Sequence, residues 1–371
     1  DNQLIRRSRF DVRYADPAHS SYQELRERYR LEQIVSGAPT QFDQLLALSD
    51  WLRGRWAHGW DGTSLTTNGL QILKEADEGK EFHCWYFTMA FCACAAAIGH
   101  VARPLAISKA DTDLIPPEEV NISHVISEVW SNDFGKWIVI DPDLNCHYVQ
   151  DGLPLSAHEI RRAWLSGERG SVKRVCGKTA ATITDRTTVF SEQGKKGLFD
   201  VFLRYDALDY YHYLRFMLRT DLIAASEERL NHVQTHATSL AFGQPGLPAA
   251  QWVDGFAPPQ IYIENHPAPP DLLFSSRLED VYWTLNQAEI NVRCAAQPTP
   301  SSPPVLRVSL DTVTPDFDRF EVQLGSADWE PKEAVFDWPL EAGENTVQAR
   351  PVTRRGLCGM VSGLAISYLA R

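Results

Sequence analysis

From Cys84 to Ile98 the sequence reads CWYFTMAFCACAAAI. Such a run is too long for one buried strand, and its alanines favour a helix, so the stretch predicts a helix buried on every side. Gly99 follows as its C′ stop. Upstream, Gly79-Lys80-Glu81-Phe82-His83 leads in as a loop, which places Cys84 in the first helical turn. Downstream, Val101–Ile107 reads as a short strand, and the acidic segment 109–120, with Pro116-Pro117, reads as a loop. Two alternating segments follow, Ile122–Trp130 (ISHVISEVW) and Lys136–Asp141 (KWIVID), separated by Ser131-Asn132-Asp133-Phe134-Gly135. This is a hairpin signal.

The hairpin can be given a register. With Trp130 facing Gly135 across the four-residue loop 131–134, Glu128 stands opposite Trp137, Ile126 opposite Val139, and His124 opposite Asp141. Period-two alternation then keeps His124, Ile126, Glu128, Trp137, Val139 and Asp141 on one face. An Asp carboxylate there can accept from one imidazole nitrogen, orient the ring and stabilise its cation. Cys84 is the group the other nitrogen could serve. A helix N-terminus favours an anion, and a thiolate beside a histidine is an activated nucleophile with its base. The backbone N–H of Cys84 would point at a developing oxyanion. The residues alone leave a plainer reading open: a buried, inert cysteine and a hairpin histidine satisfied by its neighbours.

These same residues resemble the signature of the transglutaminase-like superfamily of cysteine enzymes, in the form found in bacteria. The resemblance is carried by Phe82-His83-Cys84-Trp85-Tyr86-Phe87 at the nucleophile and by Ile98-Gly99-His100-Val101-Ala102-Arg103 at an LGIPAR-like helix end. It continues through His124-Val125-Ile126-Ser127-Glu128-Val129-Trp130 and Trp137-Ile138-Val139-Ile140-Asp141-Pro142. It covers roughly residues 40–150. The resemblance implies an α+β, papain-like core with an antiparallel sheet and a buried nucleophile helix. It implies Cys84 as nucleophile, His124 as base and Asp141 as orienter, and a peptide or protein substrate. Hydrolysis is expected, since many bacterial relatives of this kind act as peptidases or amidases. The family often draws a second oxyanion donor from an indole upstream of the cysteine, and Trp60 matches that position, with Trp56 in reserve. Trp56, Trp85 and Glu128 are candidates for substrate binding. Two departures, Phe82 in place of a common Gly and His100-Val101 in place of Ile-Pro, bear on the entrance to the site. Animal transglutaminases use calcium. No D-x-D-x-D-G loop occurs in this sequence, Asp111-Thr112-Asp113 reads as a solvated loop, and no metal or other cofactor is expected.

The rest of the chain bounds the reading. Residues 1–60 look mostly helical, with Gln41–Trp56 placing Phe42, Leu45, Leu48 and Leu52 at helical spacing. Ala157–Leu165 and Tyr210–Ile223 are expected to be helices. Seven prolines between residues 243 and 272 suggest a linker or surface strap. Beyond Leu278, short alternating runs at Glu289–Arg293, Val305–Leu310, Phe320–Leu324, Thr346–Arg350 and Ala365–Leu369 suggest a β-sandwich. Gly343-Glu344-Asn345-Thr346-Val347-Gln348-Ala349-Arg350 resembles immunoglobulin-like or fibronectin-like modules, common accessories of exported bacterial enzymes, and Cys294 and Cys358 could bridge within it. The expected organisation is a catalytic domain over 1–242, a strap over 243–277 and an immunoglobulin-like sandwich over 278–371. A secreted or periplasmic location is expected.

Composition excludes several classes. With 371 residues, 44% apolar and 23% charged, the chain has the mix of a globular protein of two or three domains. Its longest apolar run, Met89–Ile98, falls well short of the ~18 residues of a membrane span. A net charge of −12 and the lack of a Lys/Arg cluster argue against a nucleic-acid partner. Seven cysteines without a CxxC motif argue against structural zinc. Eleven Trp, twelve Tyr and the acidic balance keep a glycan substrate open: a glycoside hydrolase would need a second carboxylate beside Glu128, such as Glu118 or Glu119, and a lyase a base such as His124. A non-catalytic binding protein is the third class, opposed by the complete set Cys84, His124 and Asp141.

Overall fold

The structure is a computed structural model describing residues 2, 4–59, 61, 66–108, 123–177, 207–227, 248–255, 272–296 and 303–369. The chain divides into two compact units: Arg9–Ser131 with Lys136–Val281, and Asp1–Ser8 with Asn132–Gly135 and Tyr282–Arg371.

The larger unit is α+β. Helices α1 (Ser20–Tyr29), α2 (Leu31–Val35), α3 (Gln41–Arg53), α4 (Gly69–Asp77) and α5 (Cys84–Ala97) come first. Strands β1 (Ala102–Ser108), β2 (Ser123–Ser131), β3 (Lys136–Ile140), β4 (Cys146–Gln150) and β5 (Leu153–Pro154) follow. Then come α6 (Ala157–Leu165), β6 (Lys173–Cys176), β7 (Tyr213–Met217), α7 (Leu222–Glu227), β8 (Ala249–Trp252), β9 (Leu272–Ser275) and α8 (Leu278–Val281). The main sheet has the order β3-β2-β1-β7-β8-β9, and its described pairs are antiparallel except β8–β9. A small sheet, β5-β4-β6, stands beside it.

The predicted central helix is α5, and every one of its residues is buried. Its ends are set by sequence. His83 caps the start, Nδ1 accepting from Trp85 N at 3.4 Å. Gly99, at φ 94°, ends it: Gly99 N donates to Ala96 O and His100 N to Ala95 O, the paired bonds of a Schellman stop that a Cβ would disfavour. His100, the first residue of the His100-Val101 departure, is buried; burial pushes its pKa down to about 4, and its ring bonds Gln44 of α3 at 3.1 Å. Thr88 Oγ1 on α5 donates to Val125 O of β2, tying helix to sheet.

Helix α4 approaches α5 where both carry small residues. A Cβ on Gly69 would stand 2.5 Å from Ala93 Cβ and 3.1 Å from Ala90 Cα. Gly69→Ala is therefore expected to lower unfolding free energy by about 1–3 kcal/mol despite the better helix former. Urea denaturation checks this, and Gly69→Ala with Ala93→Gly should recover much of the loss. Equal stability of Gly69→Ala and the wild type would contradict the close approach.

Several expectations are corrected. The β2–β3 hairpin pairs Ser131 with Lys136, Trp130 with Trp137 and Glu128 with Val139, so the loop is 132–135 and the register lies two residues from the expected one. Gly135, at φ 64°, is the residue suited to the left-handed position that closes the turn, and this decides the register. An even slip leaves every side chain on its face. Residues 213–217, expected within a helix, form β7 between β1 and β8; a short apolar run does not by itself distinguish the two. Within the proline-rich stretch 243–277, β8 and β9 are strands of the main sheet rather than a strap.

The smaller unit contains β10 (Ala288–Ala296), β11 (Val305–Thr312), β12 (Phe317–Leu324), β13 (Glu330–Lys332), β14 (Val335–Pro339), β15 (Gly343–Thr353) and β16 (Ser362–Tyr368). Two sheets, β10-β11-β14 and β13-β12-β15-β16, enclose a core of Ile290, Val308, Phe320, Val322, Trp338 and Val347, as in a β-sandwich. Cys294 and Cys358 do not form the expected bridge; all seven cysteines are present as thiols. Cys294 lies on β10, whereas Cys358 bridges Val352 of the other sheet.

Candidate active site

The site is assembled from three local structures that the sequence specifies. The first is the capped start of α5, which sets Cys84 at the helix N-terminus, 3% exposed. Its sulfur lies 4.0 Å from His83 Nδ1. The second is β2, which carries His124 on the face predicted for it. The third is the turn after β3. Asp141 and Cys146 exchange both backbone hydrogen bonds, 2.8 and 3.0 Å, and Asn145 adopts φ 47° to close the turn. Asp141 Oδ1 accepts from Asp143 N at 3.1 Å and Leu144 N at 3.0 Å. Asn145 ties the turn to α3, accepting from Ser49 Oγ at 2.9 Å and donating to Asp50 Oδ1 at 2.5 Å.

Within this frame His124 Nε2 lies 2.8 Å from Asp141 Oδ2, and both groups are buried. An ionised carboxylate only accepts, so Nε2 carries the proton in that bond. Nδ1 is left as the nitrogen that can accept. Cys84 sulfur, a ring nitrogen of His124 and a carboxylate oxygen of Asp143 lie within 4.8 Å of one another. Burial opposes a charged imidazole here, but Asp141 and Cys84 outweigh it and hold the His124 pKa well above its ordinary value. The surroundings therefore stabilise the imidazolium that forms when His124 takes up a proton.

Sequence reading missed a second buried pair. His58 Nδ1 lies 2.8 Å from Asp143 Oδ2 and 2.9 Å from Oδ1, with side-chain exposures of 0% and 1%. His58 lies in a segment that shows only turn signals, and Asp143 lies beyond the strand pattern. The only sequence signal is that Asp143 follows Asp141 by two. Burial alone would raise the Asp143 pKa; His58, Arg53 and His124 lower it overall. Arg53, buried on α3, donates to Trp56 O at 2.9 Å and lies over the Phe87 ring.

His58→Leu is expected to cost about 3–5 kcal/mol at neutral pH, because it leaves a buried carboxylate without its partner. An Asp pKa lowered by folding stabilises the native state above the unfolded value of 3.8. That contribution disappears as the pH falls through the lower native value. The gap between wild type and His58→Leu in urea midpoints should therefore be full at pH 6 and close in acid; a gap independent of pH would contradict the pairing.

The other predicted residues are placed elsewhere. Glu128 does not face a substrate: it is buried in an ion pair with Arg103 Nη2 at 2.6 Å and accepts from Ala157 N at 2.8 Å. Trp85 is fully buried, its indole donating to Thr66 O at 3.1 Å. Trp56 donates to Phe82 O at 3.2 Å and stacks on Phe87. All three are structural because their polar atoms are used inside the core. Trp60, Asp111, Asp113, Glu118 and Glu119 lie outside the described residues.

Among the described residues, one cluster, Cys84, His124 and Asp143, offers sulfur, nitrogen and oxygen atoms close enough to take a metal ion. This is a donor set that zinc accepts. An ion held there would occupy the thiolate and so compete with its use as a nucleophile.

Residues 28–142 match the model of the transglutaminase-like superfamily. That segment runs from the end of α1 past Asp141 and contains Cys84, His124 and Asp141. Within the α+β unit, the segment that carries the site is thus similar to a transglutaminase-like core. Among solved structures, the chain is similar to the crystal structure of red sea bream transglutaminase, at 11% identity and a TM-score of 0.24, over 90% of this chain and 69% of that one. No curated protein matches the sequence.

Proposed function

We propose that the protein is a cysteine enzyme that transfers acyl groups from an amide or ester, to water in the first instance, through Cys84, His124 and Asp141. The observation that carries the reading is His124 bonded to Asp141 through Nε2 and lying beside Cys84 at the start of α5. In this reading His124 takes the Cys84 proton, and the thiolate adds to the carbonyl carbon. The tetrahedral oxyanion lies toward the Cys84 backbone N–H, where the helix N-terminus stabilises it. His124 then protonates the departing amine or alcohol, leaving a thioester. Water, deprotonated by His124, displaces Cys84 and releases the acid. Asp141 keeps the imidazole in the tautomer whose Nδ1 can accept. Asp143, paired with His58, is a second carboxylate within 4.8 Å of the Cys84 sulfur and a His124 ring nitrogen. Trp60 as an oxyanion donor belongs to this proposal, as do a peptide or protein substrate, a secreted or periplasmic location and an immunoglobulin- or fibronectin-like identity for the sandwich. Burial of Glu128 against Arg103 withdraws the carboxylate on which the glycosidase alternative depended.

The test is to trap the thioester. Mixing the protein with an activated aryl ester and quenching in acid should leave one acyl group on the Cys84 peptide, seen by mass spectrometry, and none in Cys84→Ala. Ester turnover that persists in Cys84→Ala, or acylation at another residue, would overturn the reading. Screening amine acceptors against the trapped thioester then separates transfer from hydrolysis.

A further inference from the structure

Outside the proposed triad, two more cysteines meet. Cys146 on β4 and Cys176 on β6 are direct partners in an antiparallel ladder. Their pairing type follows from the backbone. Both hydrogen-bonding groups of Cys146 are used by Asp141 on its other side, and the next rung, Asn145 with Gly177, carries the bond Gly177 N to Asn145 O at 2.9 Å. Antiparallel rungs alternate, so Cys146 and Cys176 form a non-hydrogen-bonded pair, the kind whose Cα atoms stand about 4.5 Å apart with side chains close on one face. That separation lies inside the range a disulfide spans. Both cysteines line one cleft of about 190 Å³ together with Ser49, Asp50 and Asn145. They differ in access: Cys146 is buried and Cys176 exposed. Arg174, two residues before Cys176, is close enough to interact electrostatically with both sulfurs.

We propose that Cys146 and Cys176 are a reversible dithiol site, oxidised by exchange with a small-molecule disulfide. The exposed Cys176 thiolate attacks one sulfur of that disulfide, its S–S bond breaks and one small thiolate leaves. Cys146 sulfur then attacks Cys176 sulfur, and its proton passes to the second departing thiolate. The two protein thiols lose two electrons and become one disulfide; the external disulfide gains them and becomes two thiols. The new bond joins β6 to the residue whose backbone closes the Asp141 turn.

The probe is oxidised glutathione added to the whole chain. After trapping of remaining thiols in denaturant and digestion without reductant, the peptides of Cys146 and Cys176 should be found joined, two hydrogens lighter than their sum. Alkylation of Cys146 should be lost, and dithiothreitol should restore it. Cys176→Ser, a change at an exposed position, should keep Cys146 fully alkylatable. A reaction that stops at glutathione on Cys176 with Cys146 still alkylated, or that links Cys176 to another cysteine, would overturn the proposal.

Discussion

Replacing Asp141 by asparagine is expected to slow acyl transfer by about four orders of magnitude while leaving the fold in place. The reason is a tautomer. The amide oxygen of the new side chain can keep the bonds from Asp143 N and Leu144 N that shape the turn, which leaves the amide nitrogen facing His124. An amide nitrogen only donates, so His124 Nε2 must accept and Nδ1 must carry the proton. The nitrogen available to Cys84 can then no longer take a proton from it. The His124 pKa also falls toward its ordinary value, since Asp141 is the largest influence raising it. Ester turnover and the urea midpoint should be measured together. Loss of turnover with a retained transition supports the account; turnover within tenfold of wild type would contradict the orienting role.

A large effect on stability is also expected at Arg103. Its guanidinium is fully buried, bonded to Glu128 Oε2 at 2.6 and 3.2 Å, and lies between the rings of Trp137 and Phe216. Arg103→Met would strip the partner from a buried carboxylate, at a cost of about 3–5 kcal/mol. Adding Glu128→Gln should recover most of that loss, because Gln retains an oxygen for Ala157 N without the charge. Urea unfolding of the two single variants, the double variant and the wild type closes the cycle. An Arg103→Met variant as stable as the wild type would show that the ion pair does not carry the packing of β1 against β2.

What was legible in the sequence follows from which patterns are local. Helix α5 was readable because its length and alanines exclude a strand and because Gly99 marks its end. The shared face of His124 and Asp141 was readable because the register differs from the expected one by an even step, which leaves every side chain on its face. The register itself depended on one backbone angle at Gly135, which side-chain patterning does not encode. Strand β7 was misread because an aromatic run of that size suits either element, and its neighbours β1 and β8 decide it from a distance. The structural roles of Trp56, Trp85 and Glu128 were hidden because each is settled by a partner remote in sequence or by a backbone oxygen. The His58–Asp143 pair was missed for the same reason: 85 residues separate its members, and neither sits in a periodic segment.

The measurement that tests the central claim most directly is the rate of Cys84 alkylation by iodoacetamide against pH, read by mass spectrometry, in the wild type and in His124→Gln. A thiolate held beside an imidazolium should label rapidly and keep doing so below about pH 7, where an isolated thiol is protonated. In His124→Gln that low-pH labelling should disappear. Slow labelling of the wild type that tracks an ordinary thiol, unchanged by the substitution, would contradict the account.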